Sequence, residues 1–268
     1  MPHELKEDLV AEFEANGVVK LPSVLSGKIL DDAVTAAEEM LAAEAQLVEQ
    51  NQYFKRLGLW RRIPAFSTVA IENGLAGRAA ALLRSEKINI LYDQLFVKEP
   101  GNRAPTPWHN DLPYWPLTGA QVVTLWIAFD EIGLENGGLE FFAGSHKWQR
   151  HYRPFDTTDD GRVARLFYAG EEDTYDELLD FEAERGRHTM LSWDLKPGDA
   201  VAFHALTVHG APGNPLLDRP RRGYAIRYAG DDIRYRQGSA WNKDLMSDEL
   251  GHGDPLDSDR FPVVYSLS

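Results

Sequence analysis

The sequence predicts a mainly β fold of the sandwich or jelly-roll type, preceded by a helical segment. Three observations carry this. After Lys87 the chain breaks into short runs that alternate in polarity and are rich in β-branched and aromatic residues. Turns such as EPGNRAPTP, ENGG and HGAPGNP separate the runs. Before Lys87 the composition shifts to Ala, Leu and Glu at helical spacing, and no strands alternate with helices as a parallel α/β sheet requires.

Taken in order, Leu5, Leu9 and Phe13 recur at helical spacing and predict a helix that ends before Gly17. VVKLPSVL is a short strand broken at Pro22. From Ile29 to about Gln50 the apolar residues fall at i, i+3 and i+4, the clearest amphipathic helix in the chain. A second alanine-rich helix covers Leu75 to Arg84. Strands follow at INILYDQLFVK, QVVTLWIAFDEI, GGLEFFAGSH, GDAVAFHALTVHG (two strands or one bent one) and GYAIRYAG. A charged, weakly periodic stretch at 147–190 interrupts them, and insertions of this length are often lids. The tail is turn-rich and is expected to form an irregular cover. The expected organisation is one domain over 1–268: a helical part to 86, a β core over 87–235 and the cover over 236–268.

The 268-residue chain contains no cysteine, so disulfides, thiolate nucleophiles and iron–sulfur clusters are excluded, and any metal must rest on His and carboxylate ligands. The formal net charge of −14 repels phosphate backbones and argues against nucleic acid as partner. The N-terminus is charged rather than apolar, and no uninterrupted apolar stretch is long enough to span a bilayer. The expectation is a cytoplasmic protein that acts on a small molecule. Oligomeric state is not legible.

PWHNDLPYWP (107–116) sets a histidine and an aspartate two apart and surrounds them with aromatic and proline residues. On an extended segment His109 and Asp111 point the same way and can converge on one ion. The same spacing recurs at His252 and Asp254, in a polar turn without an apolar shell, so context separates the two. A distant histidine completes a 2-His-1-carboxylate face, the arrangement suited to non-haem Fe(II). His209, at the end of an apolar run just before a turn, is favoured over His204, which lies inside VAFHAL. His146 is a lesser candidate for closing the site. Trp108, Tyr114 and Trp115 are candidate walls of a substrate pocket that keeps the metal dry.

DRPRRGYAIRY concentrates arginines. Strand alternation puts Arg221, Gly223, Ala225 and Arg227 on one face and Arg222, Tyr224, Ile226 and Tyr228 on the other. Small neighbours favour the Arg221 face as a fork for a carboxylate, with Arg222 left open. In YFKRLGLWRRIPAF, aromatics mixed with Lys55, Arg56, Arg61 and Arg62 could line an entrance or form a solvated basic turn.

Together FEANGVVKLPSVLS, WHNDLPYWP, NGGLEFFAGSHK, PGDAVAFHALTVHGAPGN and RRGYAIRYAGDD resemble the phytanoyl-CoA dioxygenase family of Fe(II)/2-oxoglutarate oxygenases. The resemblance implies a double-stranded β-helix (jelly-roll, cupin-like) core with flanking helices. It implies iron ligands His109, Asp111 and His209. It implies Arg221 as the anchor of 2-oxoglutarate, Arg227 as a second polar group near that co-substrate, and Trp126 as an aromatic beside it. Because the carboxylate of Asp111 is present, it implies hydroxylation or a related C–H oxidation with O₂, releasing succinate and CO₂, rather than halogenation. Two rivals remain open at this stage: a cupin-type isomerase or hydrolase without 2-oxoglutarate, and a non-catalytic binding protein on the same fold.

Overall fold

A computed structural model describes residues 5–46, 54–157, 163–165, 174–238 and 245–267. Helix α1 (Glu7–Asn16) ends at Gly17, whose φ of 73° supplies the left-handed cap. Strand β1 (Val18–Leu21) follows directly. Helix α2 (Gly27–Ala43) begins slightly before the expected start, and the expected residues 47–50 lie outside the described residues, as does Tyr53. Then come β2 (Phe54–Leu57), a short α3 (Pro64–Ser67) and the alanine-rich α4 (Leu75–Leu83).

The β part contains β3 (Lys87–Lys98), β4 (Thr106–His109), β5 (Leu117–Thr118), β6 (Val122–Ala128), β7 (Glu140–Phe142) and the pair β8 (Phe155–Thr157) and β9 (Val163–Arg165). A short α5 (Phe181–Glu184) precedes β10 (Met190–Leu191), β11 (Ala200–His204), β12 (His209–Ala211), β13 (Arg221–Ala229), β14 (Arg234–Tyr235) and β15 (Val263–Ser266). GDAVAFHALTVHG is therefore two strands, which belong to different sheets.

The major sheet runs β1-β11-β6-β13-β3-β15, with β2 also pairing β3, and the minor sheet runs β10-β7-β12-β4. All recorded pairings in both are antiparallel. Each strand of the major sheet shows two faces. Val123, Leu125 and Ile127 of β6 and Tyr224, Ile226 and Tyr228 of β13 join Phe66, Ala76, Ala79 and Ala80 in the core under the helices. The small side chains of α4 let its backbone lie close to the sheet. Thr124, Trp126, Ala225 and Arg227 take the opposite face by alternation. The helices thus seal one side of the major sheet, and the other side is left for the site.

Strand β3 departs from simple alternation. Arg227 pairs with Tyr92 and the adjacent Tyr228 pairs with Ile90, so Leu91 is an extra residue, a β-bulge. The bulge flips the parity. Ile88 and Ile90 face the helices before it, and Leu95 and Val97 after it. Tyr92, Gln94 and Phe96 consequently line the site.

One expectation of organisation needs correction. The tail is not wholly irregular: β15 adds a strand to β3, and Phe261 and Leu256 are buried against it. The insertion contains a β-hairpin and a helix, and its early residues Tyr152, Arg153 and Phe155 are buried.

Candidate metal centre

The two histidines meet through strand register. His109 ends β4, His209 starts β12, and the two are direct partners across the ladder, with ring centroids 4.3 Å apart. Asp111 arrives differently from the expectation. Its backbone is helical (φ −81°, ψ −36°), at the start of a 3₁₀ turn over Leu112–Tyr114, so the His-x-Asp pair does not lie on one extended segment. The N–H groups of Asp111 and Leu112 both donate to the Ala205 carbonyl, at 2.8 and 3.0 Å, and this pair of hydrogen bonds fixes the turn that brings the carboxylate back. Asp111 Oδ1 lies 3.5 Å from His109 Nε2 and 3.9 Å from His209 Nε2. One ligand atom from each residue falls within 4.8 Å of the others.

Backbone carbonyls set the ring orientation. Nδ1 of His109 lies 2.7 Å from the Pro107 carbonyl, and Nδ1 of His209 lies 3.0 Å from that of Thr207. A carbonyl only accepts, so Nδ1 carries the proton in each neutral ring and Nε2 presents a lone pair. Burial, with His109 adjacent, pushes the His209 pKa down to about 4, so its imidazole is neutral at neutral pH. Burial acts against the Asp111 charge. The neighbouring His109, with His209 and Arg227, outweighs it and holds the carboxyl well below its usual range. Two imidazole Nε2 atoms and a carboxylate oxygen therefore crowd together. A divalent cation is what such a set fits, and imidazole with carboxylate suits Fe(II).

Around the triad lies a partly open cavity of about 120 Å³. Its walls include Tyr114, Trp115 and Phe155, with Trp126, Phe203 and Leu139 deeper in. Tyr114 and Phe155 both meet the His109 ring edge-on, at 5.9 and 5.8 Å. Trp115 is held by a 3.0 Å bond from its Nε1 to the Tyr92 hydroxyl. Trp108 does not join them. It precedes His109 on the strand and so faces the other way, packing on Phe142 and Phe181 and donating to Glu182 at 2.7 Å. It anchors α5 to the outer face of the minor sheet.

The arginines separate by face as alternation predicts. Arg222 turns away from the pocket and pairs with Asp130 at 2.6 Å and Glu38 at 3.0 Å. Arg221 is fully buried, donates from Nε to the Gly137 carbonyl at 2.8 Å and lies 4.8 Å over the Trp126 ring. That packing depends on Gly223, where a Cβ would fall 1.8 Å from Cζ2 of Trp126. Arg227 lines the cavity itself. His204 and His146 stand together (ring centroids 5.4 Å) on the far side of β11, near Gly17, and neither closes the site.

Lys55, Tyr92, Gln94 and Phe96 also line the cavity. The last three were hidden by the bulge. Lys55 was within the basic stretch, whose Arg61 and Arg62 instead bond backbone carbonyls of the tail and of the turn at Leu57–Gly58.

Comparison with known proteins agrees with this geometry. Residues 13–223 match the family model described as phytanoyl-CoA dioxygenase (PhyH). The chain is 30% identical over 244 residues to a probable alpha-ketoglutarate-dependent hypophosphite dioxygenase of Stutzerimonas stutzeri, covering 82% of this chain and 77% of that one. It is 28% identical over 153 residues to human peroxisomal phytanoyl-CoA dioxygenase, covering 55% of this chain and 41% of that one. The matches to the first curated relatives cover 52%, 41% and 54% of their lengths, so the chain spans about half of them. Among solved structures, the non-heme alpha ketoglutarate dependent carbocyclase SnoK from nogalamycin biosynthesis superposes with a TM-score of 0.74 at 24% identity, over 97% of this chain and 96% of that one. EctD from S. alaskensis, solved with 2-oxoglutarate and 5-hydroxyectoine, superposes with a TM-score of 0.69 at 18% identity, over 94% and 85%. These likenesses establish the jelly-roll fold. With the family model spanning most of its length, the chain belongs to the phytanoyl-CoA dioxygenase family.

Proposed function

We propose that this protein is an Fe(II)- and 2-oxoglutarate-dependent oxygenase that oxidises a C–H bond of a small organic substrate, forming succinate and CO₂. The observation that carries the reading is the buried convergence of two Nε2 lone pairs and one carboxylate at the wall of a single aromatic-lined cavity. In this reading His109, Asp111 and His209 hold the iron, which supplies a redox centre with open positions for the keto acid and O₂. Arg221 anchors the far carboxylate of the co-substrate, and Trp126 forms the wall between the two ends. A guanidinium buried beside an aromatic face suits a carboxylate better than an ammonium would.

The remaining residues orient and exclude water. Pro107 and Thr207 carbonyls fix both imidazoles, so the metal site is preorganised. Tyr114, Trp115 and Phe155 keep solvent from the reacting C–H. The described residues at the start of the insertion, around Phe155, act as a lid. The support is Phe155, which packs on His109 and whose backbone N–H donates to the Tyr114 hydroxyl at 3.1 Å.

The test is co-substrate turnover. Iron-loaded protein with 2-oxoglutarate and O₂ should form succinate slowly even without substrate. Loss of succinate on chelation of the iron, and in Asp111→Ala, is expected. Succinate formation that survives both would reject the assignment.

A further inference from the structure

We propose that Arg227 binds a negatively charged group of the substrate itself, so that the enzyme acts on small carboxylates or related oxyanions. This deepens the oxygenase reading, rests on it, and departs from the resemblance, which implies that Arg227 serves the co-substrate.

Four observations converge. Arg227 is 4% exposed, yet it lines the cavity. Its Nε and Nη1 are buried and have no hydrogen-bond acceptor among the described residues. Its guanidinium lies 4.6 Å over the Tyr92 ring and 5.5 Å over that of Phe96. Aromatic faces steady a cation but do not accept its N–H bonds, and leaving such donors unmet in a buried site costs free energy that an anion would recover. Finally, Arg227 stands at the metal end of its strand. Its register partner Thr124 places Oγ1 3.4 Å from Asp111 Oδ2.

The position separates Arg227 from Arg221. The two share one strand face but occupy opposite ends of it, with Gly223, Ala225 and the Trp126 ring between. Arg221, the proposed anchor of the co-substrate's far carboxylate, lies at the Trp126 end, whereas Arg227 lies at the end of the strand face beside Asp111.

Acetate, with acetamide as its neutral match, tests this by calorimetry on the anaerobic protein loaded with Fe(II) and 2-oxoglutarate. The wild type should prefer acetate by roughly tenfold or more, the order expected of a charge-assisted bond in a buried site. Arg227→Gln should lose that preference while 2-oxoglutarate affinity, read separately by titration, stays within about threefold. Arg227→Lys, which keeps the charge, should retain part of the preference and covers the case in which Arg227→Gln does not fold. No preference in the wild type, a preference unchanged in Arg227→Gln, or a tenfold loss of 2-oxoglutarate affinity in that variant would each overturn the proposal, the last by assigning Arg227 to the co-substrate. Failure of the oxygenase reading is distinguishable: 2-oxoglutarate would then not bind the wild type at all, whereas acetate could still be titrated.

Discussion

At the scale of single residues, the site is built from atoms whose protons are fixed elsewhere. His209 shows this best. Its Nδ1 faces a carbonyl, its ring stacks on Phe141 at 5.9 Å, and burial keeps its Nε2 unprotonated. Asp111→Ala removes the anionic ligand and leaves two imidazoles. Iron content should fall from one equivalent to a small fraction, with turnover down by at least about 100-fold. Metal analysis after desalting reads the first directly. Gly223 is a second point of sensitivity. Gly223→Ala would drive a methyl into the Trp126 ring, so the ring must shift. A loss of about 1–3 kcal/mol is expected by denaturant titration, with weaker 2-oxoglutarate binding. Full stability and affinity in this variant would mean that the ring does not pack as described.

At the scale of elements, β13 divides two jobs between its faces. Arg221→Ala should weaken 2-oxoglutarate by tenfold or more with little change in fold. Arg222→Ala breaks the partly buried links to Asp130 and Glu38, so it should lower the unfolding temperature and leave co-substrate affinity nearly unchanged. Titration and thermal melts of both variants check the division, and swapped effects would refute it. Much of this strand was legible because strict alternation holds along it. The same rule misled elsewhere. On β3 one bulged residue reverses parity, and nothing in INILYDQLFVK marks which residue is extra. Asp111 reached the site through a turn rather than a strand, because the Ala205 carbonyl that fixes it comes from a distant segment. Trp108 could have been placed correctly from its position next to His109, since neighbours on a strand face opposite ways. The strand within the tail was masked by its turn-rich surroundings, and only its pairing with β3 gives it regular form.

At the scale of the whole molecule, the helices cover one side of the major sheet and leave the other for the chemistry, so fold and site share one set of strands. Their protonation also links stability to pH. His209 and His204 both have pKa values pushed down to about 4 by burial. In the unfolded chain each titrates near 6.5, and so binds protons more readily than the native state does. Their contribution is complete above about pH 6.5 and is lost as pH falls toward 4. The loss is at most about 3 kcal/mol for His209 and less for His204, which keeps part of its ring in solvent. Metal-free protein should therefore melt at progressively lower temperature across that window. Added iron should raise the melting temperature most at neutral pH, where the ligands are unprotonated. A flat profile between pH 6.5 and 4 would show that neither histidine is buried in its neutral form.

The fold likeness and family membership extend over most of the chain, but the activity turns on whether metal and keto acid meet in this cavity. The most direct measurement is anaerobic titration of the metal-free protein with Fe(II) and then 2-oxoglutarate, followed by visible absorption. The account predicts a weak charge-transfer band of a chelated keto acid, absent in Asp111→Ala and requiring more 2-oxoglutarate in Arg221→Ala. Iron that binds tightly without any such band would contradict it and return the site to metal chemistry that needs no keto acid.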